Sequence, residues 1–431
     1  MTATPNRTEP QPEPNASRRI GPRPLALHLA TAGATLTGAM AGLPLALAGG
    51  IPWHPDLAAK AAALMTDMGA ADSMRLNGAV AAECARRMQA TLAGIEQYQT
   101  HPWHRIANEP PTIWRQGAVR LLDYGIPGQA DAPVVMFVPS QINRAWVLDL
   151  MPDNSLLRWL AAEAGLRPLL LDWGTPGKPE RRYDVAAFLN GPLSSALDAA
   201  ADLASDRPGA HRPAGSPSVP VVGYCMGGTL SVALALLRSD AVSALALLAS
   251  PWDFHADLSP QAKAFAAALP MWQPVLEAFG EMPIDLIQAF FAALDPNLAQ
   301  RKFARFASMD PDSDRARQFV ALEDWLNDGP ALPPLVAHDC LVGWYNRNLP
   351  GSGRWQIDGK PLRAGDLTMP VFAAIPARDR IVPPASARGA IRDLPNATVI
   401  EPAAGHIGMV VGSRARRSLW QPLAEWLRGV A

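Results

Sequence analysis

One heptapeptide carries the strongest chemical signal in this chain: Gly223-Tyr224-Cys225-Met226-Gly227-Gly228-Thr229. It joins an apolar run at 219–224 to a helical segment expected at 230–237. A nucleophile between glycines at a strand-to-helix junction is the elbow pattern G-x-S-x-G, here with cysteine in the serine position. The sharp turn strains the nucleophile's backbone. Gly223 and Gly227 lack the Cβ atoms that would clash beneath it, and Gly228 lets the helix approach the sheet. The thiol then sits at a helix N-terminus, where free N–H groups and the dipole favour a thiolate. Such a nucleophile needs a base, and the base needs an orienting acid. In elbow proteins these come in the order nucleophile, acid, histidine, on loops after late strands. Both places are filled, by Asp379 in Ala377-Arg378-Asp379-Arg380-Ile381-Val382-Pro383 and by His406 in Ala404-Gly405-His406-Ile407-Gly408. Alone, each is an ordinary loop residue; with the elbow, Cys225, Asp379 and His406 become a candidate catalytic set. An oxyanion hole should combine the Met226 N–H with one from the loop 139–144. Proline has no N–H, so Gln141 or Ile142 is the expected second donor. His54, His101, His104, His211, His255 and His338 read as structural or solvated, no pair of them has metal-ligand spacing, and neither a metal nor a resident cofactor is expected.

The elements that must position these groups alternate between strand and helix. Apolar, proline-bounded runs at 133–138, 168–173, 219–224, 242–250, 370–375 and 397–400 read as buried parallel strands, which argues for a doubly wound, mostly parallel α/β sheet. Between 254 and 346 only helical periodicity appears, punctuated by prolines; a helical insertion between late strands is most economically a cap over the active site. The expected organisation is a disordered tail at 1–23, a helical N-terminal region at 24–112, a core at 113–253 and 347–431, and the cap at 254–346. The composition agrees. With 38 basic and 39 acidic residues in 431 there is no basic footprint for nucleic acid, and 49% apolar content with 13 Trp supports a large core. The 43 prolines, about twice the usual ~5%, mark the tail, the break near 102–111, strand starts and cap joints.

The N-terminus admits two readings. Ser17-Arg18-Arg19, then 25–53 without a charged residue, then Ala46-Leu47-Ala48 have the outline of a twin-arginine signal. Yet the stretch is mostly Ala, Gly and Thr, interrupted by His28 and Pro44. We read it as a pair of short apolar helices packed on the body, a partner or a hydrophobic surface. Three dispersed cysteines favour a reducing, cytoplasmic setting, with Cys84 and Cys340 as small semi-buried thiols.

From about Trp114 onward the chain resembles the polyhydroxyalkanoate synthases. The resemblance rests on Arg120-Leu121-Leu122-Asp123-Tyr124, on Ile142-Asn143-Arg144 through Val147-Leu148-Asp149-Leu150, on Ser155-Leu156-Leu157-Arg158 and on Asp172-Trp173-Gly174. It rests further on the Gly-Tyr-Cys-Met-Gly-Gly box, Leu367-Thr368-Met369-Pro370, Asp379-Arg380-Ile381-Val382-Pro383 and Gly405-His406-Ile407-Gly408. The Gly-His-Ile-Gly ending, Pro383-Pro384-Ala385-Ser386 and the short N-terminal region look more like the two-subunit class. The resemblance implies an α/β-hydrolase core and an acyltransferase that polymerises (R)-3-hydroxyacyl-coenzyme A and releases coenzyme A. Cys225 would hold the growing chain as a thioester, His406 would deprotonate it, and Asp379 would orient His406 or help activate the incoming 3-hydroxyl. It implies as partners the polyester product, its granule surface, a homodimer and a second synthase subunit. Where the family commonly has Asp-His, this chain has Asp379-Arg380, and Met226 stands at a position that often differs. The alternatives are a cysteine-dependent thioesterase or polyhydroxyalkanoate depolymerase on the same residues, and a non-catalytic granule or scaffold protein.

Overall fold

The structure, a computed structural model, describes residues 19–106, 108–206, 217–257, 267, 271 and 273–430. The expectations for the tail at 1–18, for His211 and for the cap residues at 258–266, 268–270 and 272 lie outside the described residues.

Eight strands form the main sheet: β1 (Thr112–Gln116), β2 (Val119–Asp123), β3 (Val134–Val138), β4 (Arg167–Asp172), β5 (Val219–Tyr224), β6 (Val242–Leu248), β7 (Val371–Ala374) and β8 (Thr398–Ile400). Their order is β1-β2-β4-β3-β5-β6-β7-β8. From β4 to β8 all pairings are parallel; β1 with β2 and β2 with β4 are antiparallel. Six strands fall on the six apolar runs read from the sequence. The five from β3 to β7 read as continuous apolar segments because both faces of the sheet are covered there, whereas β8 is the far edge strand and mostly exposed. Val134, Met136 and Val138 of β3 enter one core cluster, and Val135 and Phe137 the other. The β1–β2 hairpin had no such signal, because β1 is an edge strand with a solvated Thr-Ile-Trp-Arg-Gln sequence. It is held to the parallel strands by the ladder from β2 to β4 and by Arg167 on Asp123 at 2.6 Å.

The N-terminal region is helical: α1 (Leu25–Leu47), α2 (Ala58–Ala70) and α3 (Ser73–Thr100), the last capped by Asp72 accepting from the Arg75 N–H. The expected pair of short apolar helices is instead one 23-residue helix, α1. Pro44 lies in its last turns, where losing one backbone donor does not end it. Among the described residues α1 is the one helix long and apolar enough to cross a membrane by length and composition. It is tied to α3 by the Cys84 thiol on the Leu36 carbonyl at 3.5 Å.

In the insertion, α5 (Ile284–Leu294), α6 (Leu298–Phe306) and α7 (Asp314–Asn327) come after the elbow helix α4 (Met226–Leu237). Trp325 of α7 donates to the Arg144 carbonyl and Gln318 to that of Val411, which fixes α7 to the core. On its other side the insertion receives α3, where Gly94 lies against the Phe303 backbone so closely that a Cβ could not be accommodated.

The tail expectation needs correction at its end. Residues 19–23 are anchored, because their two arginines are paired with acids of the insertion. Arg19 pairs with Asp324 of α7 at 2.7 Å and donates to the carbonyls of His101 and Trp103, with only 8% of its side chain exposed. Arg23 grips Asp285 of α5 with two bonds, at 2.9 and 3.0 Å. An arginine of the signal-like motif is thus a structural strut in the folded chain. Replacing Arg19 by Ala leaves Asp324 with the Tyr98 hydroxyl but no cation and should lower the unfolding free energy by about 2–4 kcal/mol. Urea denaturation checks this; a loss under ~0.5 kcal/mol, the range of surface pairs, would mean that the anchor contributes nothing.

Candidate active site

Strand β5 lies near the middle of the sheet and ends at Tyr224; α4 begins at Met226, so Cys225 alone makes the turn. Its φ of 55° and ψ of −128° lie outside the regions open to ordinary residues, a strain of about 1–3 kcal/mol that the surroundings must hold. They do so by close approach. A Cβ on Gly223 would collide with Gly228, one on Gly227 with the Val138 and Pro139 carbonyls, and one on Gly228 with the Ser250 hydroxyl. The Cys225 N–H donates to the Leu248 carbonyl at 2.9 Å, which ties the turn to β6. The elbow helix starts four residues earlier than its apolar periodicity suggests, because the glycines 227 and 228 belong to it.

The loops after β7 and β8 bring the other two groups. They are bonded to each other, Ala377 N–H to the Pro402 carbonyl and Arg378 N–H to that of Ala404. On them, Asp379 Oδ2 lies 2.7 Å from His406 Nδ1. The other carboxylate oxygen, Oδ1, accepts from the N–H groups of Ile381 and Val382 at 2.8 and 2.9 Å. Asp379 has no exposed side-chain surface and His406 only 6%, so these bonds replace water for the carboxylate. The His406 ring also faces Cys225 and lies 5.3 Å from the Tyr224 ring. Burial works against a charged imidazole. The facing Cys225 and Asp379, by charge and by hydrogen bond, outweigh it and raise the His406 pKa to about 10. With its pKa raised to about 10, the ring faces the Cys225 sulfur with a proton to give.

The three residues read together in the sequence thus meet in one cluster. For the oxyanion donors the structure narrows the choice. The Ile142 N–H is committed to the Ser140 hydroxyl at 3.1 Å, so Ile142 is withdrawn. The N–H groups of Met226 and Gln141 have no partner among the described residues. The loop bearing Gln141 is set in place by Trp173, whose indole donates to the Pro139 carbonyl. Cys340 is buried, and burial with the nearby Asp339 pushes its thiol pKa well up, which leaves it inert; Cys84 is buried as well.

Cys225 and His406 open into a cavity of about 590 Å³, ordinary for a small-molecule site. Ile142, Phe291, Leu298, Leu326 and Ile407 give it apolar walls. Sequence reasoning missed most of this wall. Pro22, Arg23 and His28 reach it from the N-terminal segment, Arg301 and Lys302 from α6, and Arg378 and Arg380 from the Asp379 loop. No local pattern marks them, since they converge only when residues 19–28 fold across the insertion.

A family model described as the alpha/beta hydrolase fold matches residues 195–413, about half of the chain. The poly(3-hydroxyalkanoate) polymerase subunit PhaC of Haloferax mediterranei is 29% identical over 375 residues, 83% of this chain and 71% of the relative. The protein of the same name from Haloarcula marismortui is 28% identical over 69% of this chain and 60% of its own length. That from Allochromatium vinosum is 25% identical over 70% of this chain and 82% of its own. An elbow at the end of the central strand, acid and histidine on the two later loops, and these likenesses lead to one statement: the chain belongs to the alpha/beta-hydrolase fold family, where its sequence relatives are poly(3-hydroxyalkanoate) polymerase subunits.

Proposed function

We propose that this protein is a polyhydroxyalkanoate synthase, an acyltransferase that polymerises (R)-3-hydroxyacyl-coenzyme A through a thioester on Cys225. The observation that carries the reading is a cysteine, rather than serine, at an elbow beside the Asp379-bound His406, in a chain whose relatives bear the polymerase name. Exchange between two thioesters is nearly isoenergetic, which suits transfer, and the insertion that walls the cavity limits water.

In the first step Cys225 Sγ attacks the thioester carbonyl carbon, and the N–H groups of Met226 and Gln141 receive the developing oxyanion. The carbon–sulfur bond to coenzyme A breaks, the departing thiolate takes a proton from His406, and the acyl group stays on Cys225. His406, now neutral, accepts the proton of an incoming monomer's 3-hydroxyl as that oxygen attacks the acyl-Cys225 carbonyl. An ester forms and Cys225 leaves as a thiolate against the recharged imidazolium. The lengthened acyl chain, still a coenzyme A thioester, then returns to Cys225 by the first step. Asp379 is better suited to orient His406 than to take the hydroxyl proton, because both of its oxygens are occupied. The apolar walls suit aliphatic hydroxyacyl groups. The relatives are named as subunits, which supports a second subunit for this chain, and the product would place the enzyme at a polyester granule in the cytoplasm.

Two outcomes test the reading. Purified protein given (R)-3-hydroxybutyryl-coenzyme A should yield chloroform-soluble polyester, and Cys225→Ala should cut coenzyme A release by ~10³-fold or more with the fold retained. Release of free 3-hydroxybutyrate alone would replace the synthase by a thioesterase. The pH profile is the second. His406 must be charged to protonate the leaving thiolate, so kcat/KM for acylation should hold through neutral pH and fall on the alkaline side as the ring, raised to about 10, loses its proton. Asp379→Asn removes one charge that raises it, so the alkaline limb should move down by ~1 pH unit or more and the rate fall by about 10²–10⁴-fold. An unmoved limb would show that the pair does not govern the acid.

A further inference from the structure

The wall of this cavity is more basic than the chain as a whole. The protein carries a net charge of −1. Yet of the seven Asp, Glu, Lys and Arg side chains lining the cavity five are basic, with only Asp295 and Glu323 opposed. Two of the five are fully engaged: Arg23 grips Asp285 with both bonds, and Lys302 pairs with the buried Glu323 at 2.7 Å. The other three gather at one place. Arg301 and Arg380 both bond Oδ2 of Asp295, at 2.7 and 2.9 Å, so one carboxylate oxygen serves two guanidiniums. Arg378 lies two residues before Arg380 on the same loop, and its guanidinium has no partner among the described residues. Three arginines against one aspartate leave an excess of two positive charges. They stand at the outer edge of the cavity, with the Arg380 side chain 75% and that of Arg301 52% exposed, whereas His406 at the inner end is 6% exposed. Ile142, Phe291, Leu294, Leu298 and Ile407 add apolar surface to the same cavity.

A ligand matched to this arrangement has a neutral acyl and thioester part for the apolar surface and a polyanionic head for the rim. Guanidinium forks suit phosphate oxygens, which accept in pairs. We propose that Arg301, Arg378 and Arg380 form a phosphate-binding subsite at the cavity rim that holds the phosphorylated head of the thioester carrier. Asp295 keeps Arg301 and Arg380 in place while the site is empty and shares them with the incoming phosphates. This rests on the acyl-transfer reading of Cys225 and names the part of the substrate that the reading leaves unassigned.

The test compares two thioesters of the same (R)-3-hydroxybutyryl group, one on coenzyme A and one on pantetheine, which lacks the phosphates. In Arg378→Gln/Arg380→Gln, KM for the coenzyme A thioester should rise ~10-fold or more relative to KM for the pantetheine thioester. Raising salt from 50 to 300 mM should raise the coenzyme A KM of the wild-type chain more than that of the variant, as expected for screened rim charges. Equal changes for both thioesters, or none, would overturn the subsite. A second measurement separates this from failure of the transferase reading: titration of Cys225→Ala with free coenzyme A, monitored by calorimetry, with and without the two arginine substitutions. Arginine-dependent binding without turnover of any thioester would keep the subsite and reject the transferase. Turnover with arginine-independent binding would do the reverse. No binding of coenzyme A to Cys225→Ala would reject the subsite.

Discussion

A charged imidazole buried against a carboxylate is the constraint on which the rest of this structure depends. Burial alone would discharge His406. It stays charged because Asp379 and Cys225 face it, and Asp379 in turn needs protein donors in place of water, which Ile381 and Val382 supply. Those donors belong to a loop that keeps its shape through bonds to the His406 loop, and both loops hang from adjacent parallel strands. An unpaired buried charge costs several kcal/mol, so each link is needed for the one before it. The same logic applies on the other side of the pair. Cys225 reaches His406 only from a backbone angle that costs energy, and three glycines at van der Waals limits make room for it.

The helical layers above the sheet serve the site indirectly. Trp325 and Gln318 hold α7 to the core, α3 lies on α6, and Arg19 and Arg23 stitch the N-terminal segment to α7 and α5. The cavity is therefore built from three stretches of chain that are distant in sequence. That arrangement puts exposed arginines and apolar side chains in one cavity with a buried ion pair, a combination suited to a substrate with a charged head and a neutral reactive end.

How legible each feature is in the sequence depends on how it is encoded. The five strands from β3 to β7 announce themselves because both faces are covered, so apolar residues dominate their centres. The β1–β2 hairpin, with a solvated edge and Arg120, Asp123 and Arg115 in it, looks like loop. Cys225, Asp379 and His406 can be grouped because the elbow is a local motif that fixes the chain order of acid and histidine after the nucleophile. The choice between Gln141 and Ile142 needs a side-chain bond from Ser140 that no spacing rule foretells. Helix α1 is one helix where the sequence suggests two, since Pro44, which has the character of a breaker, falls in the final turns. The basic rim is invisible for a different reason. Arg301 and Arg380 are separated by about half of the insertion and one strand of the main sheet, and their shared aspartate brings them together.

The central claim is that the buried pair makes Cys225 an acyl carrier. The most direct measurement is the intact mass of the protein quenched in acid within seconds of mixing with (R)-3-hydroxybutyryl-coenzyme A, with the adduct located by peptide mapping. The expected result is a ladder of acyl adducts on Cys225, spaced by one monomer residue and absent from Cys84 and Cys340. A protein that releases coenzyme A with Cys225 unmodified, or that carries a single adduct which never lengthens, would contradict it.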